Sequence, residues 1–137
     1  MRQQWHVDFS EATAILQAAV AHANTLGVPV SVVVLDGGGH LVAASRLDGA
    51  SFQVFEVASA KALGSVMMRA PSKALEDAAL ARPTLATFND GRLPIQGAVP
   101  LMVEGQCIGA VGVSGGTPDQ DEACAKAGAA ALPASSP

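Results

Sequence analysis

From residue 8 onward the apolar positions recur at helical period, with Phe9, Ala12, Leu16, Ala19, Val20 and Ala23 on one face. Asp8 followed by Glu11 has capping-box spacing, so the pattern predicts a helix over 8–26. Gly27 stops it and Pro29 follows. The pattern then changes. Val30-Ser-Val-Val-Val-Leu35 is a β-branched run too short for a helix, and Asp36-Gly37-Gly38-Gly39 is a turn. His40-Leu-Val-Ala-Ala-Ser-Arg46 returns as a second strand, which makes a hairpin.

After Asp48-Gly49, Ser51 is the predicted N-cap of a helix that reaches about Met68. Phe52, Phe55, Ala62, Leu63 and Val66 form one stripe on it, with Val54, Val57 and Met68 roughly opposite. A helix apolar on two sides is sandwiched between layers or subunits. Pro71-Ser72 opens a short third helix to about Leu80, and Arg82-Pro83 and Asn89-Asp90-Gly91 mark a loop. A second hairpin follows over 98–113, turning at Glu104-Gly105. Gly109 and Gly112 inside its second strand predict close approach by another backbone or a ligand. Thr117-Pro118-Asp119-Gln120 starts a last helix that runs to about Leu132 and leaves residues 133–137 as a frayed tail. Antiparallel hairpins alternating with helices give an α+β layered domain over residues 1–132, not a doubly wound parallel sheet.

Composition narrows the function classes. Half of the 137 residues are hydrophobic, mostly Ala and Val, with one Trp and four Phe. Small side chains bury little area each, which favours burying more by self-association. The formal net charge is −4 and the eight Lys and Arg are scattered, so no basic face is assembled for nucleic acid. No apolar run approaches the ~20 residues of a membrane span. The N-terminus shows no long apolar stretch of a signal peptide, and Cys107 and Cys124 form no CxxC pair. Together these point to a cytoplasmic chain with reduced thiols.

The glycine-rich segments do not read as nucleotide loops. Gly37-Gly38-Gly39 lacks the following Lys and Ser/Thr, and Gly109-x-x-Gly112-x-x-Gly115 is not GxGxxG. Ser114, Gly115, Gly116 and Thr117 lie between a strand and a helix N-terminus, where free amides could hold a ligand carboxylate; the alternative is a turn with its own cap. Of three histidines, His6 falls in a flexible lead-in, His22 at the margin of the first helix's stripe, and His40 directly after the triple glycine. No HxH or HExxH spacing argues for zinc, but one imidazole suffices to ligate haem iron. Lys61 lies in an otherwise apolar helix, free to snorkel to solvent or to meet Asp48 or a ligand carboxylate. Asp121 and Glu122 are adjacent acids that could bind a cation, although such pairs on a helix ordinarily face water.

Several of these fragments occur in one order. Val34-Leu-Asp36-x-x-Gly-x-Leu41, Arg46-x-Asp48-Gly-Ala50, Lys61-Ala62, Gly105-x-x-Ile-Gly-Ala-Val-Gly-Val-Ser-Gly115 and Asp121-Glu122 resemble the GlcG/HbpS haem-binding (haem-degrading) domain family, also found as the C-terminal domain of PduO-type proteins. The resemblance covers about Phe9 to Leu132. It departs at Gln96-Gly97-Ala98-Val99-Pro100, where many members read Gly-Gly before the proline.

The resemblance implies a profilin-like fold and homo-oligomers from dimers to octamers, with haem or cobalamin-related binding in some members. On that basis the chain is expected to be an oligomeric small-molecule-binding accessory protein for haem or a related tetrapyrrole. No strict family motif fixes the ligands, so the roles follow from residue chemistry: His40 or His22 would ligate the iron, Arg46 and Lys61 would hold the propionates, and Ser114, Gly115 and Gly116 would add amide contacts. The rival reading is a cofactor-independent lyase, isomerase or hydrolase for a small carboxylate or aromatic catabolite. There Arg46 or Lys61 would orient the carboxylate and His40 or Asp48 would move a proton. A structural subunit without a ligand is the third class.

Overall fold

The computed structural model describes residues 1–132; positions 133–137, where a frayed tail is expected, lie outside them. Helices α1 (Phe9–Leu26), α2 (Gln53–Met68), α3 (Ser72–Ala81) and α4 (Pro118–Ala129) pack around strands β1 (Ser31–Asp36), β2 (Leu41–Arg46), β3 (Ala98–Val103) and β4 (Gln106–Ser114). The sheet order is β2-β1-β4-β3 and every pairing is antiparallel. Both predicted hairpins form, and β1 and β4 join them at the centre. Those two strands are buried along almost their whole length, as their apolar runs require.

Val32 and Val34 face α1 and α4 in one core, while Val33 and Leu35 face α2 in a second. That is the strand period of two, with both faces covered. Both predicted capping boxes are present. Asp8 and Glu11 exchange bonds of 2.8 and 3.0 Å at the start of α1, and Thr117 and Gln120 exchange 3.2 and 3.0 Å bonds at the start of α4. The Glu104-Gly105 turn has φ of 48° and 78°, the pair of positive values that a tight type I′ turn needs.

Other expectations shift. Phe9 is 69% exposed, and Ile15 takes its place beside Ala12, Ala19 and Ala23 in the buried stripe of α1. The reason is α4: a Cβ on Gly128 would lie 2.9 Å from the Ile15 carbonyl oxygen, so the two helices touch backbone to backbone. Ser51 does not cap α2, which begins two residues later without a side-chain cap. The buried side of α2 is Ala58, Ala62 and Val66, and Phe52 is 83% exposed. Small residues are demanded there because α2 crosses β4 at Gly112, where a Cβ would collide with the Ala58 carbonyl and lie 2.9 Å from Ala62 Cβ. The close backbone approach predicted for Gly109 and Gly112 is thus met by Leu35 and by α2. Ser72 anchors α3, its Oγ accepting from the Ala98 amide at 2.9 Å. A 3-10 turn at Pro83–Ala86 occupies the predicted loop, and α4 stops three residues before Leu132.

Candidate functional site

The sheet has two chemically different ends. At one, register aligns Arg46, Ser31 and Ser114 in a row across β2, β1 and β4. Arg46 Nη1 donates to the Ala50 carbonyl at 2.7 Å and closes the loop after β2, while Asp48 is exposed. Behind this row lies a buried ion pair. Lys61 Nζ donates to Asp121 Oδ2 at 3.1 Å and to the Val113 carbonyl at 3.0 Å, with both side chains only 3% exposed.

This corrects two expectations. Lys61 does not snorkel, because its face of α2 is pressed on β4, and a Cβ on Gly97 would lie 2.6 Å from its ammonium. Asp121 does not face water. Its Oδ1 accepts the Gly116 amide at 2.8 Å, and Gln120 Oε1 accepts the Thr117 amide at 3.0 Å. The amides expected to hold a ligand carboxylate at Ser114, Gly115 and Gly116 therefore sit in a loop whose Gly116 donor is already taken by a carboxylate of the chain itself. Gln96, buried beside them, donates through Nε2 to Asp119 and Glu122 and so ties β3's approach to α4. Gln96 carried no signal in the sequence beyond its departure from the double glycine.

At the other end stands the β1–β2 turn. Asp36 Oδ1 accepts the amides of Gly38 at 2.9 Å and His40 at 3.1 Å, an Asx-type clamp that fixes where the His40 ring emerges. That ring is exposed and leans over Gly38, where a Cβ would be 3.1 Å from its Cδ2. Beside it, Gly37 leaves room for the His6 ring: a Cβ there would lie 3.0 Å from His6 Nδ1, 3.0 Å from the Cys107 carbonyl and 3.3 Å from Gln4 Nε2. His6 is thus no loose lead-in. Residues 5–7 run beside β4, with the Trp5 amide donating to Gln106 Oε1 at 3.1 Å and the Val7 amide to the Ile108 carbonyl at 2.9 Å. His22, by contrast, is half-buried on α1, away from this turn.

Arg46 and His40 flank opposite ends of β2, roughly 20 Å apart at ~3.3 Å per residue. Arg46, Lys61 and Ser114 gather at one end and His40 at the other, so the chain does not assemble them into one site. Three clefts accompany these features. A polar one of about 300 Å³ holds Arg2, Gln3, Gln4, Arg69 and Gln106 next to the His40 turn. A shallow groove of about 420 Å³ lies between Arg46 and Phe52. An apolar one of about 230 Å³ is enclosed by α3, Met68, Phe88 and Arg92. There Arg92 clamps Asp90 at 2.6 Å and lies 4.1 Å from the Phe88 ring centre, and its hydrogen bonds hold the Asp90 carboxyl below the usual carboxylate range. Among the described residues, no group of three or more His, Cys, Asp or Glu is placed to hold a metal ion, and no helix is long and apolar enough to cross a membrane.

The comparisons with known proteins agree with this architecture. Residues 7–130 match the family described as haem degrading protein HbpS-like. Protein GlcG of Escherichia coli K12 is 38% identical over 103 residues, covering 75% of this chain and 77% of GlcG. A double mutant of Streptomyces reticuli HbpS superposes with a TM-score of 0.91 at 35% identity, covering 97% of this chain and 91% of that one. PduOC in its haem complex superposes with a TM-score of 0.83 at 28% identity, covering 93% and 95%. By sequence and by fold, the chain belongs to the HbpS-like family.

Proposed function

We propose that this protein is a homo-oligomeric accessory protein that binds haem or a closely related tetrapyrrole, with His40 as the axial ligand. The observation that carries the reading is the His40 imidazole, exposed on a clamped turn and without a side-chain hydrogen bond among the described residues. A neutral imidazole has a ring-nitrogen lone pair to offer a metal, and an exposed ring lets an external ligand reach it. The relatives support the ligand class, since PduOC was solved with haem and the matched family is described as haem degrading. Haem, when bound, would supply an iron that the His40 imidazole could ligate.

The donor set fits that group. Beside His40 are a second imidazole, His6, an exposed apolar residue, Leu41, and a cleft lined by arginine and carboxamide donors. The apolar cleft at Arg92 does not fit. A cavity of ~150 Å³ takes one benzene, so about 230 Å³ is too small for a macrocycle. One protomer offers a single wall at His40, and a second copy is proposed to supply the other. The unpaired outer edge of β2, with Leu41 57% exposed, is suited to such contact. Two free, buried cysteines favour a reducing compartment, in keeping with the cytoplasm. Titrating haem into the purified protein at the Soret band tests the reading. A saturable shift that His40→Ala weakens supports it, and a flat titration in the wild type overturns it.

A further inference from the structure

We infer that the polar cleft between the N-terminal segment and the β3–β4 hairpin is the anion subsite of this protein, with Arg2 and Arg69 binding the carboxylates of the molecule that His40 ligates. The inference rests on the haem reading above and replaces Arg46 and Lys61 in the role that residue chemistry suggested for them.

The first argument is donor chemistry. The cleft of about 300 Å³ is lined by two guanidinium groups and the carboxamides of Gln3, Gln4 and Gln106, and no carboxylate is in its lining. The four ion pairs among the described residues engage Lys61, Lys73, Arg92 and Lys126, and neither Arg2 nor Arg69. Both arginines line one cleft, and a guanidinium fork matches carboxylate oxygens in geometry as well as charge.

The second argument is backbone. Arg69 closes α2 in the left-handed region, at φ 54°, where glycine or asparagine is the ordinary choice. A cation at a helix C-terminus is favoured by the dipole, and Arg2 lines the same cleft as Arg69. The third is position. Gln4 and the Cys107 backbone border both this cleft and Gly37, and His40 leans on Gly38. Adjacent Cα atoms are 3.8 Å apart, so the imidazole and the cleft are neighbours, whereas Arg46 is a strand's length away and Lys61 is sealed against Asp121. A molecule carrying a metal and peripheral carboxylates can therefore reach both His40 and the two arginines.

The test compares haem with haem dimethyl ester, whose carboxylates are masked, on the full chain and on Arg2→Gln, Arg69→Gln and the double variant. Wild type is expected to prefer haem by about tenfold or more, the scale of charge-assisted hydrogen bonds. The double variant should lose that preference while its affinity for the ester and its thermal midpoint stay unchanged. Equal wild-type affinity for both ligands, or a double variant that retains the preference, overturns the subsite and leaves the His40 reading standing. Absence of binding by either ligand overturns both.

Discussion

Lys61 on α2 and Asp121 on α4 meet 3.1 Å apart with both side chains almost fully enclosed, although sixty residues separate them in the chain. The pair also fixes two backbone groups, the Val113 carbonyl at the end of β4 and the Gly116 amide in the loop that follows. A charge removed from water is tolerable only when its partner and its remaining hydrogen bonds are in place. Here they are supplied by three elements at once, so the pair works as a clasp for the loop between β4 and α4.

Removing either partner strands the other. Lys61→Met and Asp121→Asn are each expected to lose about 3–5 kcal/mol of folding stability in urea unfolding. The double replacement Lys61→Met with Asp121→Asn should lose clearly less than the two single losses summed, because no lone charge remains. Additive losses would mean that the two groups are not coupled.

Gly112 lets α2 lie directly on β4. Gly112→Ala would push a methyl group into the Ala58 carbonyl and against Ala62, and overpacking of that kind costs about 1–3 kcal/mol. A thermal midpoint equal to that of wild type would contradict this contact.

Cys124 is fully buried on α4, and burial, with the nearby Asp121 charge second, pushes its thiol up to about 11 from an ordinary value of 9.0. Between those two values the unfolded chain releases a proton that the folded chain keeps. Stability should therefore fall as pH rises from 9 through about 11. Cys124→Ala should flatten that part of the profile even though it lowers overall stability. An unchanged slope in the variant would assign the loss to another group.

Ser65 points a hydroxyl into the interior, where its Oγ is without a hydrogen-bond partner among the described residues. An unsatisfied buried hydroxyl carries a desolvation penalty of roughly 1–3 kcal/mol. Ser65→Ala is expected to be neutral or to stabilise by up to about 1 kcal/mol, read by urea midpoint. A clear destabilisation would mean that the hydroxyl has a partner in solution.

Local signals were the legible part of this chain. Asp8 with Glu11 and Thr117 with Gln120 announce their helix starts because every atom in a capping box lies within four residues. The two hairpins are likewise announced by turn residues and by β-branched runs. What escaped depends on contacts across the chain. Phe9 lies on the predicted stripe and Ile15 beside it, and only the crossing with α4 at Gly128 decides which is buried. Lys61 has the same local pattern whether it snorkels or pairs, and the choice is made by Asp121 arriving from α4. Arg2 and His6 gave no periodicity at all, because the bonds that hold residues 5–7 in place run to Gln106 and Ile108. Arg69 directly follows the predicted end of a helix at about Met68, and no local pattern joins it to Arg2. The family resemblance was carried by ordered fragments, which report ancestry and fold better than they report which end of the sheet holds a ligand.

The most direct test of the central claim is haem binding by wild type, His40→Gly and His22→Gly, each titrated at the Soret band with and without free imidazole. Ligation by His40 predicts that His40→Gly loses the wild-type spectrum and regains it when imidazole enters the vacated space, while His22→Gly behaves as wild type. If His40→Gly binds haem with an unchanged spectrum, or if wild type gives no saturable shift, the account of this protein as a haem binder through His40 is wrong.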